Sequence, residues 1–266
     1  MLNDLNPQQQ EAARHIDGPL LVLAGAGSGK TRVITRKIAY LIEQCGISAK
    51  NIAAVTFTNK AAREMKTRVS ELMASRQNSA AARGLMVSTF HTLGLNILRR
   101  EYKSLGYRSG FSIFDAQDSL AVLRDLMGRD FAADSEHAEQ VQWQISEWKN
   151  QLILPEKAMQ IAEAGTQMAA AKVYPLYTAA LQAYNAVDFD DLILKPVVLF
   201  REHDDVLKKW QARIHYLLVD EYQDTNGCQY ELVKQLVGIR EALTVVGDDD
   251  QSVYSWRGAR PENLAQ

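Results

Sequence analysis

Residues 19–32 read PLLVLAGAGSGKTR: an apolar run, a loop of small residues, Lys-Thr, and then a helical pattern. No other stretch constrains the chain so strongly. A strand that runs into a glycine loop and out through a helix N-terminus makes a cradle for an anion. Gly25, Gly27 and Gly29 let the backbone curl so that successive N–H groups, those of Ala26 and Ser28 included, point inward. Lys30 can reach β- and γ-phosphates, the Thr31 hydroxyl can sit on Mg²⁺, and the helix opening at Lys30 adds its positive end. The G-x-x-x-x-G-K-[ST] pattern asks for glycine at position 24, where this chain has Ala24. Alanine is small enough for the turn to survive.

The rest of the chain fits an α/β fold. Short apolar runs at Leu20–Leu23, Ile52–Phe57, Leu85–Ser88, Tyr216–Val219 and Leu243–Val246 read as buried parallel strands. Helical patterns follow most of them, at Lys30–Gln44, Asn59–Met73, Phe90–Tyr102 and Gly227–Val237. Strands alternating with helices predict a parallel α/β sheet that carries this P-loop. From about Asp115 to Tyr184 the pattern is almost wholly helical, and Pro155 and Pro175 are expected to begin or break helices. This predicts a helical subdomain over 93–188 inserted into an α/β domain of 1–92 plus 189–266. Residues 77–83 read as an exposed loop.

A second acidic edge completes the site. In YLLVDEYQD, residues 216–224, an apolar strand ends in Asp220 and Glu221, and ligands of open α/β sheets bind at that edge. Asp220 is expected to hold Mg²⁺ beside Thr31, and Glu221 to orient and polarise an attacking water. Gln223 and Asp224 are expected to link the site to neighbouring elements. In LTVVGDDDQSVYSWRGAR, residues 243–260, Gln251 has the length to sense a γ-phosphate oxygen, and Tyr254, Trp256 and Arg257 suit base stacking.

Global charge says little. The formal net charge is -2 and the pI about 6.2, so any contact with nucleic acid has to come from a local patch. Cys45 and Cys228 stand far apart and suit a reducing compartment better than a disulfide. No eighteen-residue apolar run and no charged-then-apolar leader appear. The expectation is a soluble, cytoplasmic protein with no membrane partner.

Six segments, AGAGSGKTR, AVTFTNKAAREM, STFHTLG, VDFDDL, LLVDEYQDTN and VVGDDDQSVYSWRGARPENL, occur in this order in superfamily 1A DNA helicases, and the chain resembles that family's N-terminal portion. The resemblance implies ATP and Mg²⁺ as cofactors, and single-stranded DNA and single/double-strand junctions as partners, with replication or repair proteins besides. It implies movement 3′ to 5′. It offers Gln9 as a reader of adenine and Arg32 as a residue near the base. Thr56, Phe57, Thr58, Asn59 and Lys60 resemble one motif that contacts single-stranded DNA, and Thr89, Phe90 and His91 a second. The VDFDDL segment receives no role beyond a solvated helix start. The family's second RecA-like domain, with its arginine finger, has no counterpart in these residues, so the expectation is Mg·ATP binding with very slow hydrolysis and no unwinding. Two other readings compete: a nucleotide-switched binding module, and a metal-dependent phosphoesterase built on Asp188, Asp190, Asp220 and Glu221. The second leaves Lys30 and the glycine loop unexplained.

Overall fold

Alternate residues of the central strands face different layers, and this sets the architecture. The computed structural model of the chain describes residues 2–25, 27–131 and 135–248. Five parallel strands form the main sheet: β1 (Leu20–Leu23), β2 (Ile52–Thr56), β3 (Met86–Thr89), β6 (Tyr216–Val219) and β7 (Leu243–Gly247), in the order β1-β7-β6-β2-β3. Ile52, Ala54, Tyr216, Leu218 and Val246 point to one face, covered by α2 (Lys30–Glu43) and α3 (Asn59–Ser75). Ala53, Val55, Leu217, Val219 and Val245 point to the other, covered by α4 (Phe90–Glu101), α9 (Asp191–Glu202), α10 (Asp204–Arg213) and α11 (Gly227–Val237). Side chains alternating across a sheet buried on both faces give the continuous apolar runs seen in β2 and β6.

The helices start where the sequence supplies caps. Asn6 and Gln9 form a capping box on α1 (Pro7–Arg14), and Asn226 with Gln229 forms another on α11. Thr58 caps α3 through Ala61 N, and Thr89 caps α4 through Thr92 N.

The helical stretch consists of α5 (Ala116–Phe131, interrupted at Gly128), α6 (Ser135–Asn150), α7 (Pro155–Ile161) and α8 (Thr166–Ala183). It has a core of its own, with Leu123, Val141, Ile145, Trp148, Tyr174, Tyr177 and Leu181 among its members. Where the chain leaves and re-enters the sheet domain, β4 (Ser112–Ile113) and β5 (Ala186–Val187) pair in parallel.

Two expectations need correction. β1 is an edge strand, and Leu21 and Leu23 are 38% and 56% exposed, so the run is not buried on both faces. Pro155 begins α7 as expected, but Pro175 lies inside α8 without ending it. Pro175 sits on the solvent side, while Tyr174 and Tyr177 on either side of it are anchored in the core and carry the helix through. Residues 79–82 of the expected loop form a short 3₁₀ turn.

Candidate nucleotide and nucleic-acid site

All five strands are parallel, so their C-terminal ends share one edge, and the chemistry gathers there. Leaving β1, Ala24 donates its N–H to the Gly247 carbonyl over 3.0 Å. Gly27 and Gly29 take the left-handed conformation, at φ 73° and 86°, but Gly25 does not. Gly29 is the N-cap of α2 and contributes no side-chain cap, which leaves the first-turn amides of that helix available to an anion. Lys30 follows, with Thr31 half-buried beside it.

The Lys30 ammonium is buried and has no hydrogen-bond partner among the described residues. Among the described residues its nearest opposite charges are Glu221 Oε2 at 3.5 Å and Asp248 Oδ2 at 3.8 Å. Both distances are too long for charge-assisted hydrogen bonds. A buried ammonium with its donors unspent is what a phosphate oxygen would satisfy.

Asp220 ends β6, and its N–H donates to the Val55 carbonyl over 2.9 Å. Burial, with the Glu221 charge next, pushes its carboxyl up to about 6. A carboxyl so placed is a poor free anion and gains from a cation beside it. Glu221 takes left-handed backbone at φ 53°, uncommon for a residue with a side chain, and this turns its carboxylate back toward Lys30. Gln223 is buried and bridges the acidic turn to β7. Its Nε2 donates to Glu221 Oε2 over 2.7 Å, and its Oε1 accepts from Asp248 N over 3.0 Å.

Gln9 reaches the loop from α1, where its Nε2 donates to the Ser28 carbonyl over 2.8 Å. Arg32 is turned to the N-terminal segment: its Nη2 lies 2.7 Å from Asp4 Oδ2. Ala26, Gln251, Tyr254, Trp256 and Arg257 lie outside the described residues.

Farther along the same edge stand the residues after β2 and β3. Thr58, Asn59 and Lys60 are exposed and open α3, while Phe57 is half-buried, edge-on to Phe90 with centroids 5.5 Å apart. Thr56 and Phe90 point inward and are 1% and 2% exposed, so their side chains belong to the core rather than to a DNA-facing surface. Thr89 is buried, with its hydroxyl engaged on the N-terminus of α4. His91 is half-buried and stacks on Phe189, with ring centroids 4.3 Å apart.

With that edge described, comparison with known proteins is decisive. The model of the UvrD/REP helicase N-terminal domain matches residues 5–266. The chain belongs to this family. The ATP-dependent DNA helicase Rep of Escherichia coli (strain K12) is 57% identical over 260 residues, which are 98% of this chain and 38% of that protein. Rep of Buchnera aphidicola subsp. Schizaphis graminum is 45% identical over 260 residues, and PcrA of Bacillus subtilis (strain 168) 43% over 265, covering 39% and 35% of those proteins. The chain therefore spans less than two-fifths of the length of these relatives.

In this UvrD/REP domain, the acids of VDFDDL are not a solvated helix start. Asp188 and Asp191 are buried, and Lys149 of α6, itself fully buried, donates to Asp188 Oδ2 over 2.6 Å and to Asp191 Oδ1 over 2.9 Å. Tyr177 adds a hydrogen bond to Asp188 Oδ2 at 2.9 Å. Burial, the largest single influence, would raise Asp188, but the Lys149 ammonium together with the hydrogen bonds from the Asp191 N–H and Tyr177 holds the carboxyl low. The same two carboxylates outweigh the burial of Lys149 and raise it. This ion cluster joins the helical stretch to the start of α9, and it removes Asp188 from any phosphoesterase site.

Sequence reasoning gave no role to Asp248 or Phe189. Asp248 was one of three consecutive acids with nothing to distinguish it. Phe189 carried no usable local signal, since the neighbouring Asp188 is buried while Phe189 itself is 56% exposed.

Proposed function

We propose that this chain is the ATP- and single-stranded-DNA-binding part of an ATP-dependent 3′–5′ DNA helicase, with an ATP-binding domain built on the five-stranded sheet and a helical subdomain inserted into it. The observation that carries the reading is the buried Lys30 ammonium, without a hydrogen-bond partner among the described residues, 3.5 Å from the Glu221 carboxylate at the strand edge. That ammonium, the α2 first-turn amides and the loop amides fit a triphosphate, and Thr31 with Asp220 supplies the oxygen donors Mg²⁺ prefers.

When bound, Mg²⁺ would draw charge from the β- and γ-phosphate oxygens. The chain's own groups do the rest. Lys30 moves its charge from Glu221 to phosphate. Glu221, released, orients a water and accepts its proton at a carboxylate oxygen, while Gln223 holds that carboxylate in place. Thr58, Asn59 and Lys60 offer polar groups to a phosphate backbone, and His91 with Phe189 offers a stacking surface. Such contacts tolerate any sequence. The names of the relatives, ATP-dependent DNA helicases, support the same reading. Replication or repair proteins as partners and a cytoplasmic location fit that class. No described helix is long and apolar enough to cross a membrane.

The test is thermal unfolding with and without Mg·ATP. A ligand at 100 times its Kd stabilises a fold by about 2.7 kcal/mol. Wild type is expected to shift upward and Lys30→Ala not at all, with equal melting temperatures in the absence of nucleotide. An ATP-dependent shift that survives Lys30→Ala would refute the site.

A further inference from the structure

Lys37 lies on α2, seven residues beyond Lys30, and is fully buried. Its ammonium donates to the Ala12 carbonyl over 2.9 Å and also to the carbonyl of His15. These oxygens belong to the C-terminal end of α1, where a helix leaves its last carbonyls unpartnered and its dipole is negative. The ammonium also stands 5.5 Å from the centre of the Tyr216 ring, and the Tyr216 hydroxyl is bonded to Thr244 Oγ1 over 2.9 Å. One buried cation thus ties α1 to β6, and through it to β7. Burial lowers Lys37 to about 8, which leaves it charged at neutral pH.

The other end of α1 carries Gln9. Its Oε1 accepts from Asn6 N over 3.1 Å, closing the capping box, and its Nε2 donates to the Ser28 carbonyl of the phosphate loop. Only eight residues separate the two ends, a bar of about 12 Å. A helix that short does not hold itself in water, so its place is set by what it touches. Apart from Lys37, α1 rests on a small satellite core of Leu2, Leu5 and Ala13 with Tyr40.

We propose that Lys37 is a positioning residue for nucleotide binding: it fixes the C-terminal end of α1 and so holds Gln9 against the phosphate loop at Ser28. The proposal rests on the reading of that loop as the ATP site.

Calorimetric titration with Mg·ATP separates the two. Wild type binds and Lys30→Ala does not; failure of that comparison would sink the site reading and leave Lys37 with no nucleotide to serve. Lys37→Met weakens binding about tenfold, the scale of one charge-assisted hydrogen bond. Lys37→Arg, still a cation able to donate to helix-terminal carbonyls, stays within about threefold of wild type. In a Gln9→Ala background, Lys37→Met costs no more than about twofold, because its effect passes through Gln9. Amide exchange of the unliganded protein gives a readout without ATP: the Gln9–Ala13 amides exchange faster in Lys37→Met and unchanged in Lys37→Arg. Should Lys37→Met not fold, Lys37→Gln takes its place in both measurements. Wild-type affinity in the neutral variant, or losses that multiply in the double variant, overturns the proposal.

Discussion

Gln223 clamps Glu221: its amide nitrogen lies 2.7 Å from Glu221 Oε2, and its amide oxygen accepts the Asp248 N–H over 3.0 Å. The clamp joins the acidic turn after β6 to the end of β7, so the carboxylate direction is set by two strands together. Gln223→Leu keeps the volume and removes both bonds. The expected result is a fall in kcat for ATP hydrolysis of about tenfold, a part of the roughly 10²–10⁴-fold that a positioned general base supplies, with KM for ATP nearly unchanged. Steady-state hydrolysis in the presence of single-stranded DNA checks it. A change confined to KM would mean that Gln223 serves binding instead.

Lys149 is expected to matter for folding rather than for chemistry. It pairs with both Asp188 and Asp191 where the helical stretch meets α9. Removing one partner of a buried ion cluster leaves uncompensated charge and typically costs about 3–5 kcal/mol. Lys149→Met is expected to lose stability on that scale in urea unfolding, and Asp188→Asn, which removes one of the two carboxylates left unpaired, is expected to recover part of it. Equal midpoints for wild type and Lys149→Met would show that the cluster contributes nothing.

That cluster also marks where the sequence stopped being legible. The strands β2 and β6 could be read directly, because residues buried on both faces leave an uninterrupted apolar run. The same kind of run at Leu20–Leu23 misled, since an edge strand can carry it with alternate leucines exposed. The glycine loop after β1 and the acids at the end of β6 stand at one sheet edge, where their local spacing put them. The acids of VDFDDL were not legible in this way. Their partner Lys149 lies some forty positions earlier in the chain, and near neighbours alone make them look solvated.

Asp190 gives a pH prediction. Burial first, and the Asp188 charge second, raise its carboxyl to about 6 from a usual value of 3.8. A folded pKa above the unfolded one means that the native state binds more protons between those limits. The contribution to stability is then full below about 3.8 and lost as pH rises through about 6. Asp190→Asn is uncharged throughout and can keep the hydrogen bond from Asn150 Nδ2, now 3.1 Å long. It is expected to match wild type near pH 3.5 and to exceed it above pH 6, by about 1.4 kcal/mol per pKa unit. Urea midpoints measured across that range check the sign. A variant less stable than wild type at pH 7 would contradict it.

Gly94 predicts a packing limit. A Cβ built there would lie 1.8 Å from the Leu192 carbonyl oxygen, so α4 and α9 approach too closely for any side chain. Overpacking of this kind costs about 1–3 kcal/mol or more even when neighbours are side chains, and here the neighbour is backbone. Gly94→Ala is expected to lower the melting temperature by several degrees or to prevent folding. An unaltered melting temperature would show that the two helices separate freely.

Phe189 can be tested without disturbing the fold, because its ring is 56% exposed and lies on His91 rather than in a core. If the strand edge carries single-stranded DNA, the ring is a stacking platform, and base–aromatic stacking is worth about 1–3 kcal/mol per base. Phe189→Ala is expected to weaken oligothymidine binding by roughly 5- to 150-fold at fixed salt, the Boltzmann equivalent of that range. The salt slope is expected to stay the same, since no phosphate contact is lost. Lys60→Ala is expected to do the reverse, reducing the slope by about one with a smaller loss of affinity. Fluorescence anisotropy at three salt concentrations separates the two behaviours. Equal slopes and equal affinities in all three proteins would place the DNA on another surface.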